Sequence, residues 1–286
     1  MPTLLKAKPL VELKLEDFKL RTDQLKAKNI SPRLEVILVG NNPASKVYVE
    51  HKKKKSEKVG VICNINHFDE NIEADEFVTK VKEIFNNPEV HGAFIQLPLP
   101  KQLSHLETHK LVPAHKDVDG FHPDNVFSTF SGQGLDSALI SCTPKGIIQI
   151  LEHYNIPLEG KNVLVIGRSM IVGRPVAMLC LNENATVTFA HSKTKNLKEQ
   201  AQNADVLIVA IGRAKFLTED YLSSNQNQVI VDVGINRMDD GSLAGDSDFE
   251  NIQDKVSAIT PVPGGVGPMT IMSLLDNLIL AAERRI

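Results

Sequence analysis

Short apolar runs alternate with helix-length segments along almost the whole chain, and this alternation restricts the fold more than any other feature. RLEVILVG (33–40), VICNINHF (61–68) and HGAFIQLP (91–98) have the length and composition of buried strands. Between them, NPASKVYVEHKKKKSEKV and EADEFVTKVKEIF read as helices. A second series follows with KNVLVIG (161–167), ATVTFAH (185–191), ADVLIVAIG (204–212) and QVIVDVG (228–234), again with helical stretches between. Such alternation implies a mainly parallel sheet with helices on both faces, so the predicted class is α/β. Two series in 286 residues predict two α/β units.

The boundary is expected near SCTPKG (141–146), because a helix from Pro144 to Tyr154 leads into the second series. The closing stretch PMTIMSLLDNLILAAERR puts Ile271, Leu274, Leu275, Leu278 and Ala282 on one helical face. That face predicts a helix packing back on the first unit. The resulting partition is 1–141 plus 268–286 for one domain and 142–267 for the other.

Hydrophobic residues make up 42% and charged residues 23%, enough apolar material for a substantial core. A formal net charge of −3 argues against a nucleic-acid partner, which calls for a basic excess. The N-terminal stretch mixes charges into every turn, unlike a signal peptide, and no run reaches the 18 or so apolar residues of a membrane span. The three cysteines (Cys63, Cys142, Cys180) are odd in number and far apart, which fits a reducing compartment. The expectation is a cytoplasmic protein with no membrane partner. His105 and His109 in HLETH have the spacing of zinc-binding helices, but the glutamate is misplaced and a third ligand is lacking, so no metal is expected.

In the second series, VLVIGRSMIVGRP (163–175) reads strand, glycine turn, helix start. Glycine there lets backbone amides approach a pyrophosphate, and a helix N-terminus favours its charge. The pattern is G-x-S-x-x-x-G (Gly167, Ser169, Gly173), which serves a structural turn as readily as a cofactor loop. The following strand ends FAHSKT (189–194), without the carboxylate that NAD enzymes place against the ribose. Arg168 and Ser192 instead suit a ribose phosphate, so the chemistry favours NADP. Further glycine loops at AIGRAKF, VDVGIN and TPVPGGVGPMT also follow strands, where ligands gather in open α/β sheets. Pro268 stands at a plausible first position of the last helix.

In the first series, Asn42 caps a helix beginning at Pro43, and Gly60 stops it. At about 100° per residue, Ser45, Tyr48 and Lys52 share one face, whereas Lys53 and Lys54 point away and Lys55 lies at the edge. Four consecutive lysines thus reduce to two, with Lys52 preferred; the VYV alternation also fits a strand, so the inference depends on the helix. A lysine beside hydroxyls in a cleft can move a proton. Gln96 ends a strand in IQLPLP, where it serves a site or only backbone groups. Asp117 and Asp119 lie in the turn-rich KDVDGFHPDN, with the same two readings.

Taken together, NNPASKVYVEHKKK, IQLPLP, KDVDGFHPDN, CTPKG, VIGRSMIVGRP, HSKT and TPVPGGVGPMT closely resemble the bifunctional methylenetetrahydrofolate dehydrogenase/methenyltetrahydrofolate cyclohydrolase family. They run in family order over most of the chain. The resemblance implies two α/β domains around a cleft, the second Rossmann-like and NADP-binding, in a homodimer. It implies oxidation of 5,10-methylenetetrahydrofolate by NADP and hydrolysis of the product to 10-formyltetrahydrofolate. By resemblance, the catalytic lysine is Lys52, the ring-stacking tyrosine Tyr48 and the site serine Ser45. Gln96 is the lysine's hydrogen-bonded partner and Asp119 the pterin-binding aspartate. Gly167, Arg168, Ser169, Ser192 and Ile235 fall on cofactor positions, and the loop holding Gly265, Pro268 and Thr270 lies near cofactor and folate. Departures are peripheral: lysines at 53–55, and ALISCTPKG without a proline before the cysteine.

Overall fold

The structure, a computed structural model, describes residues 2–285. Its strands are β1 (Thr3–Leu4), β2 (Arg33–Val39), β3 (Ile62–Phe68), β4 (Gly92–Ile95), β5 (Asn162–Ile166), β6 (Thr186–Ala190), β7 (Val206–Val209), β8 (Val229–Asp232), β9 (Asn236–Arg237), β10 (Leu243–Ala244) and β11 (Ala258–Ile259). The chain forms two compact units. One holds the residues up to Glu12, Thr129–Gly132 and Thr143–Thr270; the other holds Leu13–Ser128, Gln133–Cys142 and the residues from Ile271 onward.

The second of these is built on a parallel sheet in the order β3-β2-β4. From Leu34 to Val39 every residue of β2 is buried, the continuous pattern of a central strand covered on both faces. The helix Ala74–Asn86 opens with Asp75 and Glu76, which suit the positive end of its dipole. It buries Phe77, Val81 and Phe85, one stripe at helical spacing, each worth roughly 1.5–3 kcal/mol of transfer free energy. These pack with Ile37, Val39, Ala93, Ile95 and Leu103 into one core.

The first unit contains a six-stranded parallel sheet in the order β1-β11-β8-β7-β5-β6. The chain runs from β5 outward to β6, then returns to β7 and β8 on the other side, so order reverses beside β5. In doubly wound sheets ligands bind at the carboxyl ends of strands at such a reversal. Leu164, Ile166, Leu207, Val209, Ile230 and Ile259 lie at the centre of its core.

Residues up to Glu12 join this sheet's unit, which corrects the expectation that 1–141 stay together. The reason is backbone pairing: the amides of Thr3, Leu5 and Ala7 donate to the carbonyls of Ser257, Ile259 and Gly264. A helix over Lys8–Ala27 was also not predicted. Only Phe18, Thr22 and Leu25 of its twenty residues are buried, a stripe too narrow to read as a pattern.

The last helix, Val266–Glu283, starts two residues before the expected Pro268. Proline is tolerated in that first turn because its missing N–H has no intrahelical acceptor. By length and composition this helix alone among the described residues could cross a membrane. Leu274, Leu275, Leu278 and Ile279 are instead fully buried, as in a core helix. It returns to the three-stranded unit as expected. Asn277 Nδ2 donates to the carbonyls of Val118 and Ile140, and Arg21 pairs with Asp276 and Glu283 at 2.9 and 2.8 Å.

Candidate active site

The lysine run lies on the helix Pro43–Lys58, which follows β2 directly. Asn42 Oδ1 accepts from Ser45 N at 3.0 Å, and Pro43 presets the first turn, so the helix begins where the sequence signals it. One face then buries Ser45, Val49, Lys52 and Ser56, with Tyr48 half-buried beside them. Lys52 is 4% exposed, Lys54 is exposed, and Lys53 and Lys55 are intermediate. Helical spacing therefore separates one buried lysine from its three neighbours.

The Lys52 ammonium lies 3.7 Å from the centre of the Phe94 ring and 4.7 Å from that of Tyr48. Asp119 Oδ1 is 3.8 Å from its Nζ. A buried ammonium is costly unless paired, and two aromatic faces with one carboxylate supply that compensation. Burial, followed by the charge of Asp119, pushes the Tyr48 phenol above its ordinary range, so it stays neutral and keeps an apolar face. Sequence reasoning missed Phe94. The signal was present, since Phe94 and Gln96 are two apart on one strand run and so share a side.

Gln96 follows β4. Its Nε2 donates to Leu97 O at 2.8 Å, while its buried Oε1 has no hydrogen-bond partner. The bond expected between Lys52 and Gln96 is not made, because the side-chain amide is turned to the backbone. A buried carbonyl without a donor costs roughly 1–3 kcal/mol, the mark of a group kept for a ligand or water.

Asp117 and Asp119 divide their tasks. Asp117 is buried and accepts from His122 N at 2.6 Å and Asn125 Nδ2 at 3.1 Å, which fixes the turn. Burial pushes its carboxyl up to about 6 against those hydrogen bonds. Asp119 stays partly exposed and faces Lys52. Lys52, Tyr48 and Asp119 are thus brought together, with Ser45 on the same helix face and Gln96 on the strand run of Phe94.

In the six-stranded unit, β5 leads through Gly167 to the helix Gly173–Asn182. Gly167 has φ +127°, and a Cβ there would stand 2.3 Å from Ala210 O. A Cβ on Gly173 would stand 2.4 Å from Gly167 O, so both glycines are required by close backbone packing. Ser169 Oγ accepts from Val172 N and Gly173 N at 3.2 and 3.3 Å, which shapes the turn. Arg168 and Ser192 are exposed, each two residues beyond the paired ends Ile166 and Ala190 of adjacent strands. This glycine cradle with an arginine and two hydroxyls fits a phosphorylated dinucleotide.

A cavity of about 130 Å³ lies between the loop after β8, with Gly234 and Ile235, and the loop-to-helix junction carrying Gly265 and Pro268. Thr270 Oγ1 lies 3.0 Å from Thr143 Oγ1. The predicted residues of this half therefore form two groups, one around Gly167 and one around Ile235.

Known proteins match the chain throughout. The profile "Tetrahydrofolate dehydrogenase/cyclohydrolase, catalytic domain" matches residues 5–119, and "Tetrahydrofolate dehydrogenase/cyclohydrolase, NAD(P)-binding domain" matches 141–286. The bifunctional protein FolD of Oceanobacillus iheyensis is 50% identical over 284 residues, 99% of this chain and 98% of that one. The crystal structure of the bifunctional FolD of Campylobacter jejuni superposes with a TM-score of 0.96 at 43% identity, covering all of both chains. That of the Trypanosoma brucei enzyme, complexed with NADP cofactor and inhibitor, has a TM-score of 0.92 at 26% identity over 99% of this chain and 98% of that one. Two domain profiles in order and relatives 43–50% identical over nearly full length leave one conclusion: the chain belongs to the tetrahydrofolate dehydrogenase/cyclohydrolase family.

Proposed function

We propose that this protein oxidises 5,10-methylenetetrahydrofolate to the methenyl form with NADP and then hydrolyses it to 10-formyltetrahydrofolate. The observation that carries this reading is Lys52, an ammonium 4% exposed between two aromatic rings with Asp119 at 3.8 Å. A buried charge beside a partly open carboxylate suits proton movement at a bound substrate better than it suits packing.

The three-stranded unit is the folate-binding catalytic domain in this reading. Tyr48 offers its ring face to the pterin. Asp119 accepts from the pterin N–H groups. Hydrolysis adds a water to the methenyl carbon, and Lys52 Nζ moves the proton that this water and the departing ring nitrogen exchange. Gln96 Oε1, with no donor of its own, orients that water or the Lys52 ammonium. Ser45 lines the same helix face.

The six-stranded unit is the NADP-binding domain. Gly167, Ser169 and the helix N-terminus at Gly173 take the pyrophosphate, and Arg168 with Ser192 takes the ribose phosphate. NADP, when bound, supplies the hydride acceptor. Ile235 and the helix start at Gly265–Thr270 position it and the folate, which is most of what hydride transfer asks of a protein. The reading includes a cytoplasmic homodimer with no nucleic-acid or membrane partner. The exposed edge of β6, with Phe189 37% exposed, supports the pairing of a second copy.

The test is a spectrophotometric assay of the purified protein with 5,10-methylenetetrahydrofolate and each nicotinamide cofactor, followed by an assay of methenyl hydrolysis. Reduction of NADP in preference to NAD, with hydrolysis, is expected. Oxidation without hydrolysis would reduce the reading to a dehydrogenase, and no oxidation with either cofactor would remove it.

A further inference from the structure

The cofactor-side loops are tied together by two buried aspartates that sequence reasoning passed over. Asp246 is fully buried and Asp232 nearly so, at 2% exposed. Asp246 Oδ2 accepts from the amides of Ile211 and Gly212 at 2.7 and 3.0 Å. Its Oδ1 accepts from Arg213 N at 2.7 Å and from Asn236 Nδ2 at 3.0 Å. One carboxylate thus gathers four donors, three from the loop after β7 and one from Asn236, where the loop after β8 enters β9. Asp232 in turn accepts from the amides of Gly234, Asp246 and Ser247 at 3.0, 2.8 and 2.7 Å. Its own amide donates to Thr260 Oγ1 at 2.7 Å, at the head of the PVPGGVGP loop.

The packing leaves no slack. A Cβ on Gly234 would stand 2.2 Å from Asp246 Oδ1, and one on Gly245 would stand 2.0 Å from Asp232 Oδ2. Both ends of the network reach the cofactor groups. Ala210, next to Ile211, sets its carbonyl against Gly167 at the place a Cβ would occupy. Asn236 follows Ile235, which is 60% exposed at the cavity. From this geometry we infer that Asp246 is a positioning residue for NADP, holding the loops after β7 and β8 in the arrangement that binds it. The inference rests on the NADP reading above.

The physical consequence is specific. Loops held in place before binding leave no ordering to be done by the ligand, whereas loosened loops lower the fraction of protein competent to bind. Apparent affinity then falls by that fraction, while the bound state keeps most of its rate. Asparagine at 246 cannot replace the carboxylate. Either orientation of its amide aims N–H groups at backbone N–H donors.

The experiment uses the full-length protein and the variants Asp246→Asn and Asn236→Ala, which removes one of the four donors. NADP affinity is measured by calorimetry, amide hydrogen exchange is followed at 211–213 without cofactor, and kcat and KM are measured separately. Asp246→Asn is expected to speed exchange at those amides and to weaken NADP by roughly tenfold or more, with KM rising far more than kcat falls. Asn236→Ala is expected to do the same by roughly threefold, and it decides alone if Asp246→Asn does not fold. Unchanged NADP affinity in a folded variant overturns the inference, as does a fall in kcat with KM unmoved. If the wild type neither binds nor reduces NADP, the NADP reading fails and the inference with it. An active wild type with indifferent variants overturns the inference alone.

Discussion

Replacing Lys52 by glutamine separates function from stability at this site. At about 4 Å and an effective dielectric of 20, the attraction between Lys52 and Asp119 is about 4 kcal/mol gross. Most of that is offset by the several kcal/mol spent in desolvating a buried ammonium, which the substitution returns. Loss of the cation–π contacts with Phe94 and Tyr48 adds about 1–2 kcal/mol. The net destabilisation is therefore about 1–2 kcal/mol, small beside the 5–15 kcal/mol typical of a domain, so the variant stays folded. Removing a group that moves a proton in the transition state costs roughly 10²–10⁴ in rate. The assay is hydrolysis of 5,10-methenyltetrahydrofolate by Lys52→Gln and Lys54→Gln, each with a thermal melt. Lys54 is exposed, so its substitution should stay within about 0.5 kcal/mol and leave the rate nearly whole. Hydrolysis falling equally in both, or persisting above roughly a tenth in Lys52→Gln, would refute the facing argument.

Three further outcomes are expected. Arg168→Ala should lower the preference for NADP over NAD by roughly tenfold, since a charge-assisted contact to the extra phosphate is lost; an unchanged ratio of kcat/KM values counts against that role. Gly173→Ala should destabilise the protein by about 1–3 kcal/mol and weaken NADP, because its Cβ meets the Gly167 backbone at 2.4 Å; a melt and a binding titration at wild-type values would contradict the packing. Asp117, raised to about 6 by burial, binds its proton more tightly folded than unfolded. It therefore costs stability above pH 6, progressively less as pH falls toward its ordinary 3.8, and nothing below that. Denaturant unfolding of Asp117→Asn should thus gain on the wild type by about 1–3 kcal/mol between pH 4 and 7; a change of the opposite sign refutes the assignment.

Much of this architecture was legible because a parallel sheet buries its strands on both faces. β2, β5, β7 and β8 are dominated by Val, Ile and Leu, and the helix after β2 announces its start with the cap Asn42 and Pro43. β1 and β11 were not legible. Each has two residues, too few for any periodicity, and each is defined only by a partner far along the chain. The helical spacing singled out Lys52 correctly as the buried lysine, since facing is a geometric property of the helix itself. It could not show that Gln96 turns its amide to Leu97, or that Asp117 rather than Asp119 secures the turn. Those depend on which backbone groups lie within reach once the loops have closed. The Asp232–Asp246 network was invisible for the same reason, because all its donors to the two carboxylates but Asn236 Nδ2 are backbone amides, which carry no signature in the sequence.

The pairing of Thr3 with Ala258, and the clamp from Arg21 to Glu283, have a consequence for how the protein is made. Each compact unit is closed by segments far apart in the sequence, Thr3–Leu4 against Ala258–Ile259 in one and Arg21 against Asp276 and Glu283 in the other. Neither unit is therefore completed from one contiguous stretch of chain, which departs from the simple domain-by-domain folding usual for chains of this size. A partly made chain carries the β8 edge unpaired until β11 is present, and the Gly92 side of β4 uncovered until Leu278 is. Contacts of such long sequence separation slow folding and extend exposure to aggregation. Growth temperature and chaperone supply during expression should therefore limit the yield of this protein more than the stability of its finished fold does.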